Sequence, residues 1–258
     1  MEATAEKKPV PVNRWLPYWA VFQYDVHQTL RSWVYRVWVL AVLLATVGFL
    51  LYRFGLTQEA GVVQQASKLF SYLLQGTVLG SIAFVVVLTG SCISSERGTL
   101  ADSVLSRGIS RYQYFLGKWH ARLATVLGAY LSLSVAALIG SLVLVHADVT
   151  LDGSLVALAT VGGLLAAVVT AGVAVSAMSN SSLLSVASLW AVLYGGGFAA
   201  SWFLRNSDAS PGHVLERLPN ILCGYYDLQS LATLMAWSAA LALTVAIVGM
   251  VFFSRRDV

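Results

Sequence analysis

Six long apolar runs separated by short polar ones set the pattern of this chain. They lie at about Trp33–Tyr52, Leu69–Ile93, Leu123–Val145, Leu155–Met178, Leu183–Leu204 and Leu231–Phe253. At a rise of about 1.5 Å per residue, a helix needs about 20 apolar residues to cross a hydrocarbon core of ~30 Å. All six runs meet that length, the first carrying Arg36 near one end and followed by Arg53. The pattern predicts an all-α membrane protein with six crossings.

A second periodicity precedes the first run. Trp15, Tyr18, Trp19, Phe22, Val26, Leu30 and Trp33 all fall within about 60° of one direction at ~100° per residue, as on one face of a helix. Arg14, Asp25, Gln28 and Arg31 occupy the other face, and Pro17 suits a first helical turn. An aromatic-faced amphipathic helix directly before a span is expected to lie along the membrane surface. Residues 1–32 thus read as a polar tail plus an interfacial helix, and 33–258 as the membrane domain.

Composition strengthens this reading. The chain has 258 residues, 58% of them hydrophobic and only 11% charged, and a mean hydropathy of +0.74. No soluble domain of this length needs so much apolar residue. Six crossings place both ends on one side. Lys7, Lys8, Arg14, Arg31, Arg36, Arg97, Arg107, Arg111, Lys118, Arg122, Arg255 and Arg256 then share that side, while Arg53, Lys68, Arg205 and Arg217 lie on the other. The excess of cations on cytoplasmic segments makes both termini cytoplasmic, and the expected location is the cell's inner membrane. The sequence pI of about 9.1 follows from this bias and from contact with anionic lipid. It points to no nucleic-acid partner. The polar start MEATAEKKPVPV lacks the apolar core of a signal peptide. Cys92 and Cys223 fall on opposite sides of the membrane, so they are not expected to pair within one chain.

The external connections are short except for the third, 205–230. There His213–Leu218 is expected to form one amphipathic turn that Pro219 stops, and Asn220–Tyr226 is apolar enough to dip back toward the membrane. Ser179–Ser182 is a tight turn between two spans. The fourth span carries Gly162, Gly163, Ala166, Ala167, Ala171 and Gly172, which permit close helix approach. Gly195, Gly196 and Gly197 in the fifth span suit either a packed neighbour or a bend.

The least hydrophobic interior stretch, Ser94 to Lys118, holds the candidate chemistry. Thr99-Leu-Ala-Asp102 fits a capping box opening a helix over about Leu100–Arg107, with Gly108 beyond its end. Ser110-Arg-Tyr-Gln113 fits a second, opening a helix that runs through Gly117 and Lys118 into the third span. Leu100, Val104 and Leu105 would be exposed on the first helix, flanked by arginines able to pair with acidic groups on a partner. Composition leaves two readings open: a docking element and a solvated loop against lipid headgroups.

The run E-x-G-T-L, then L-S-x-x-I-S-R, then G-K, carried by Glu96, Gly98, Thr99, Leu100, Leu105, Ser106, Ile109, Ser110, Arg111, Gly117 and Lys118, resembles the membrane subunits of type-2 ABC transporters. Where many members have a proline before the I/V-S-R element, this chain has Gly108. The amphipathic helix Arg14–Trp33 looks like that family's interfacial elbow helix, and Phe253-Ser-Arg-Arg-Asp257 like its ending. The nearest subgroup resembles permeases linked to multicopper-enzyme maturation, including the one serving nitrous-oxide reductase. The resemblance implies a type V exporter fold working with a second permease copy, identical or related. It implies two separate ATPase subunits that bind ATP and magnesium, and no cofactor on this chain. Glu96, Arg97, Gly98, Thr99, Leu100, Asp102, Leu105, Arg107, Ser110 and Arg111 would form the coupling element. The sequence has no G-x-x-x-x-G-K-[ST] phosphate loop, because its only Gly-Lys pair precedes Trp119. The chain itself is thus expected to be non-catalytic.

No catalytic constellation is expected. His120 and His146 are about 39 Å apart along one span at the helical rise, so no metal site is expected either. The span interiors lack charge, which disfavours an ion-coupled pump and favours an external motor moving lipid-like or amphipathic cargo. In the family's fold the second and fifth helices flank the pathway, making Gln75, Thr77, Ser81, Phe84, Thr89, Ser188, Trp190, Tyr194 and Phe198 candidate lining residues. Arg53 and Lys68 are expected to snorkel to the outer interface. The alternative is a membrane scaffold that passes force from an ATPase to an envelope partner, with 205–230 as the contact surface.

Overall fold

The structure, a computed structural model, describes residues 15–60, 65–96, 109–144, 148–203 and 211–255. The described residues form eight α-helices and one short 3-10 turn: α1 (Leu16–Arg31), α2 (Trp33–Ala60), α3 (Ala66–Gly90), the turn Ser94–Glu96, α4 (Arg111–Leu144), α5 (Leu151–Met178), α6 (Ser182–Phe203), α7 (Pro211–Leu222) and α8 (Leu228–Arg255). Five of these, α2, α3, α4, α5 and α8, are long and apolar enough to cross a membrane. The fifth expected span is a 22-residue helix, α6, apolar over its described side chains, Ser182–Gly197. The chain is therefore an all-helical protein of multi-pass membrane character with five long apolar helices. The first expected span is longer than its apolar run, because α2 continues through the polar residues to Ala60.

Helix α5 sits at the centre and packs on α3, α4, α7 and α8. Its small residues make this approach possible, as their pattern suggests. A Cβ on Gly249 of α8 would lie 2.7 Å from the Ala174 Cβ, and one on Gly172 would strike the Thr89 side chain. Close van der Waals packing supplies the cohesion between apolar helices in a bilayer, and a few polar pairs fix their register. The Trp38 indole N–H donates to Ser81 Oγ at 2.9 Å between α2 and α3. The Trp119 indole donates to Thr170 Oγ1 at 3.0 Å between α4 and α5.

The two ends of the bundle are closed differently. At one end, the Asp148 carboxylate accepts from Ser67 N at 2.9 Å and from Ser67 Oγ at 2.6 Å, so a loop residue caps the start of α3. Thr150 caps α5, its Oγ1 accepting from Gly153 N at 3.1 Å. Helix α7 tucks its buried Val214, Leu218, Ile221 and Leu222 against this end.

Pro219, expected to stop that helix, does not: α7 runs through it to Leu222. The reason is local. Proline has no N–H to give to the carbonyl four residues back, which is that of Leu215. The Gln75 side chain of α3 donates to Leu215 O instead, at 2.6 Å, and the helix continues. It closes three residues later in a Schellman motif. Gly224 N bonds to Ile221 O at 3.0 Å and Tyr225 N to Asn220 O at 2.9 Å, with Gly224 at φ 89°, a conformation that favours glycine.

Candidate functional site

The other end of the bundle holds α1, residues 91–96, the start of α4 and the end of α8. The second capping box forms as its sequence predicts. Gln113 N donates to Ser110 Oγ at 3.2 Å, and Ser110 N to Gln113 Oε1 at 3.1 Å. This reciprocal pair starts α4, which then runs without interruption past Gly117 and Lys118. Gly117 is where α1 crosses: a Cβ there would stand 2.9 Å from Val21 Cγ1 and 3.3 Å from the Tyr18 carbonyl oxygen.

The face of α1 that makes this crossing differs from the expected one. Val21, Asp25 and Thr29 are its buried residues. Trp15, Trp19, Leu30 and Trp33 are exposed, Trp33 by 78%. The aromatic face remains outward, as an interfacial helix requires. Asp25, expected on the solvated face, is instead fully buried at 0% exposure.

Asp25 is buried because its counter-charges are. Its Oδ1 lies 3.0 Å from Lys118 Nζ, and its Oδ2 lies 3.1 Å from Arg122 Nε. Arg122 Nη2 adds a hydrogen bond to Oδ1 at 3.2 Å. Lys118, 1% exposed, also pairs with Glu96 Oε1 at 2.7 Å and donates to the Cys92 carbonyl at 3.0 Å. The Tyr114 hydroxyl donates to Glu96 Oε2 at 2.7 Å. Two carboxylates and two cations thus form a neutral cluster joining α1, the 3-10 turn and α4. Such charges are tolerated away from water only when paired and hydrogen-bonded. Phe253 of α8 closes the cluster from below, stacked on the Tyr114 ring at 5.9 Å. A polar cleft of about 180 Å³, lined by Gln28, Ser32, Ser91, Ser95, Glu96 and Arg122 among others, opens onto it.

The expected coupling residues divide at this cluster. Arg97, Gly98, Thr99, Leu100, Asp102, Leu105 and Arg107 lie outside the described residues, with the first capping box. Glu96 is the last residue before that gap and is held from both sides by Lys118 and Tyr114. Ser110 caps α4. Arg111 donates through Nη1 to the Ser254 carbonyl at 3.2 Å, which ties the start of α4 to the end of α8.

The expected pathway residues do not converge. Gln75 is spent on α7, and Ser81 on Trp38. Thr89 bonds to the Val85 carbonyl at 2.7 Å and packs on Gly172. Ser188 bonds within α6 to the Ser185 carbonyl at 3.0 Å. Trp190 and Tyr194 stack with ring centroids 5.0 Å apart, with Tyr194 exposed. The Phe198 side chain lies outside the described residues. Thr77 and Phe84 line a groove between α2 and α3 to which no described side chain of α6 contributes. A Cβ placed on Gly195, Gly196 or Gly197 would meet no atom within 4 Å, and α6 remains helical across them. Cys92 and Cys223 are both free thiols. Among the described residues no three His, Cys, Asp or Glu side chains are grouped to hold a metal ion.

Sequence reasoning missed the role of Asp25, Lys118 and Arg122, although a signal was present. Helix α4 carries three cations, Arg111, Lys118 and Arg122, and no carboxylate over 34 residues. Two of them, one helical turn apart, lead directly into an apolar run, so their counter-charge has to come from another segment. No known protein-family description matches this chain, and no curated protein matches it.

Proposed function

We propose that this chain is the permease subunit of an ATP-driven ABC exporter, driven through the segment between Glu96 and Ser110. One observation carries the reading. The residues flanking that segment, Glu96 before it and Tyr114 and Lys118 after it, are bonded to one another in a buried cluster that also grips α1. A segment held at both ends by one rigid node transmits a push on its middle to α1, α3 and α4 together. The sequence motif across 96–118 supplies the ABC likeness and the geometry supplies a mechanical root for it. In this reading α6 completes six crossings, with both termini cytoplasmic. Among the described residues Arg31, Arg36, Arg111, Lys118, Arg122 and Arg255 lie at the cluster end, against Arg53, Lys68 and Arg217 at the other, which supports that orientation. Two copies form the pathway, and two ATPase subunits bind ATP and magnesium.

The test is biochemical. The native complex is purified in mild detergent beside a variant carrying Arg97→Glu and Arg107→Glu; Arg111 is left intact because it anchors α8. Wild type should carry a subunit with a phosphate-loop motif and vanadate-sensitive ATP hydrolysis, and the variant should lose both while keeping its melting temperature. A wild-type preparation with no such subunit and no hydrolysis overturns the proposal, as does full retention of both in the variant.

A further inference from the structure

The groove between α2 and α3 has a cation at one end and apolar walls along its length. It encloses about 370 Å³, within the usual range for a small-molecule site. Its α2 wall is the i, i+4 stripe Ala41, Ala45 and Phe49, which leads to Arg53. Its α3 wall is Tyr72, Gly76, Gly80 and Phe84 at the same spacing, with Lys68 one turn beyond. From Ala41 to Arg53 the groove spans about 18 Å at the helical rise. Gly76 and Gly80 make its floor, and a Cβ on either would meet nothing within 4 Å.

Arg53 gives the groove a polarity. Its guanidinium carbon lies 5.2 Å from the Phe49 ring centroid and 5.9 Å from that of Tyr72. It therefore folds over the two rings at the mouth instead of extending away as a snorkelling arginine would. Its Nε is buried and has no hydrogen-bond partner among the described residues. A buried donor without an acceptor is costly, more so next to hydrocarbon, where no water replaces the missing partner. A helix from a second copy would fill the Gly76–Gly80 floor, but its backbone acceptors are already used internally, and it would leave Arg53 unmatched.

We propose that this groove is a phospholipid site: one acyl chain lies on Gly76 and Gly80, and the phosphodiester is held by Arg53 with Lys68 beside it. A guanidinium matches a phosphate with two parallel N–H donors, and the aromatic rings beneath it hold the plane in place. The site belongs to the leaflet opposite the ionic cluster. It needs only the placement of the apolar helices in a bilayer and stands or falls independently of any motor subunit.

The proposal is tested by native mass spectrometry of delipidated full-length protein titrated with phosphatidylglycerol. Wild type should hold one lipid through mild activation. Arg53→Gln and Gly80→Leu should each weaken retention about tenfold, the effect expected when one charge-assisted contact or the acyl floor is lost. Val47→Phe, on the exposed face of α2 opposite the groove, should leave it unchanged. Equal retention by wild type and Arg53→Gln overturns the proposal, and so does an effect seen with palmitate but not with the phospholipid. A second measurement needs no variant. Phosphatidylglycerol with a photoreactive acyl chain, in phosphatidylcholine vesicles, should label the peptides bearing Phe49 and Tyr72 in wild type. Labelling scattered over α2, α6 and α8, or cross-linking of two copies through cysteines placed at Gly76 and Gly80 in preference to lipid labelling, overturns it.

Discussion

Replacing Asp25 by Asn keeps the size and shape of the side chain and removes one of the cluster's two negative charges. Lys118 and Arg122 are then left with Glu96 alone, so one buried cation has no counter-charge. The geometry gives no easy escape. Both Asp25 oxygens face cations at 3.0 to 3.2 Å, so whichever way the new amide turns, its NH2 points at a donor. Removing one partner of a buried ion pair costs about 3–5 kcal/mol, whereas an exposed pair is worth about 0.2–1 kcal/mol. For a chain of this size the larger figure shifts the melting temperature by on the order of 10 °C. Cys92 is a built-in probe because it is 3% exposed and its carbonyl accepts from Lys118. In a Cys223→Ser background, a thiol-reactive fluorophore reports the opening of this end of the bundle on heating. Pairing Asp25→Asn with Lys118→Met restores neutrality, one cation to one carboxylate. The double variant should therefore lose less than the sum of the singles, with a coupling of about 1–3 kcal/mol. A melting shift of a degree or two for Asp25→Asn, or strict additivity in the cycle, would refute the claim that the cluster acts as one buried unit.

Three further outcomes follow from other parts of the fold. Gln75→Leu leaves the Leu215 carbonyl unmatched and should cost about 1–3 kcal/mol by thermal unfolding; adding Pro219→Ala supplies the missing backbone N–H and should recover most of it, and failure to recover refutes the substitution of one donor for the other. Ser110→Ala removes the cap that starts α4 and should cost about 0.5–2 kcal/mol, with hydrogen exchange increasing at Tyr112 and Gln113 and not in mid-helix. Hydrogen bonds from the Ser230 hydroxyl and from the Gln229 and Ser230 amides hold the Asp227 carboxyl below the usual carboxylate range. Because the folded-state value is the lower one, its contribution at the start of α8 is fully present above the ordinary value near ~3.9 and is lost only as pH falls through the depressed one. A carboxyl titration followed by NMR should therefore show the Asp227 midpoint below the reference, and Asp227→Ala, which removes the acceptor oxygens, should speed exchange at Gln229 and Ser230 relative to wild type at the same pH.

The features legible in the sequence are those encoded within a few residues of themselves. Apolar run length marks the long helices, S-x-x-Q marks the start of α4, and the glycines and alanines of α5 announce its close neighbours. Where the chain departs from its local pattern, the cause is a partner distant in sequence. Pro219 reads as a stop because nothing near it shows that Gln75, 140 positions before Leu215, will donate to that residue's carbonyl. Asp25 reads as a solvated residue because hydrophobic periodicity assigns every carboxylate to the wet face. Its burial depends on Lys118 and Arg122, and theirs depends on it. Mutual dependence of this kind leaves no periodic trace, but it does leave an imbalance of charge. Helix α4 has three cations and no acid, α1 has Asp25 as its one acid, and Glu96 ends an apolar helix. Summed over all three segments, the charges inside the cluster cancel. Balancing charge between elements, rather than along each one, therefore locates the buried node at the root of the 97–108 segment, and the same accounting sets Arg53 apart. Its neighbours in the groove are apolar or hydroxyl-bearing, no described carboxylate pairs with it, and the phosphodiester proposed for the groove supplies its match.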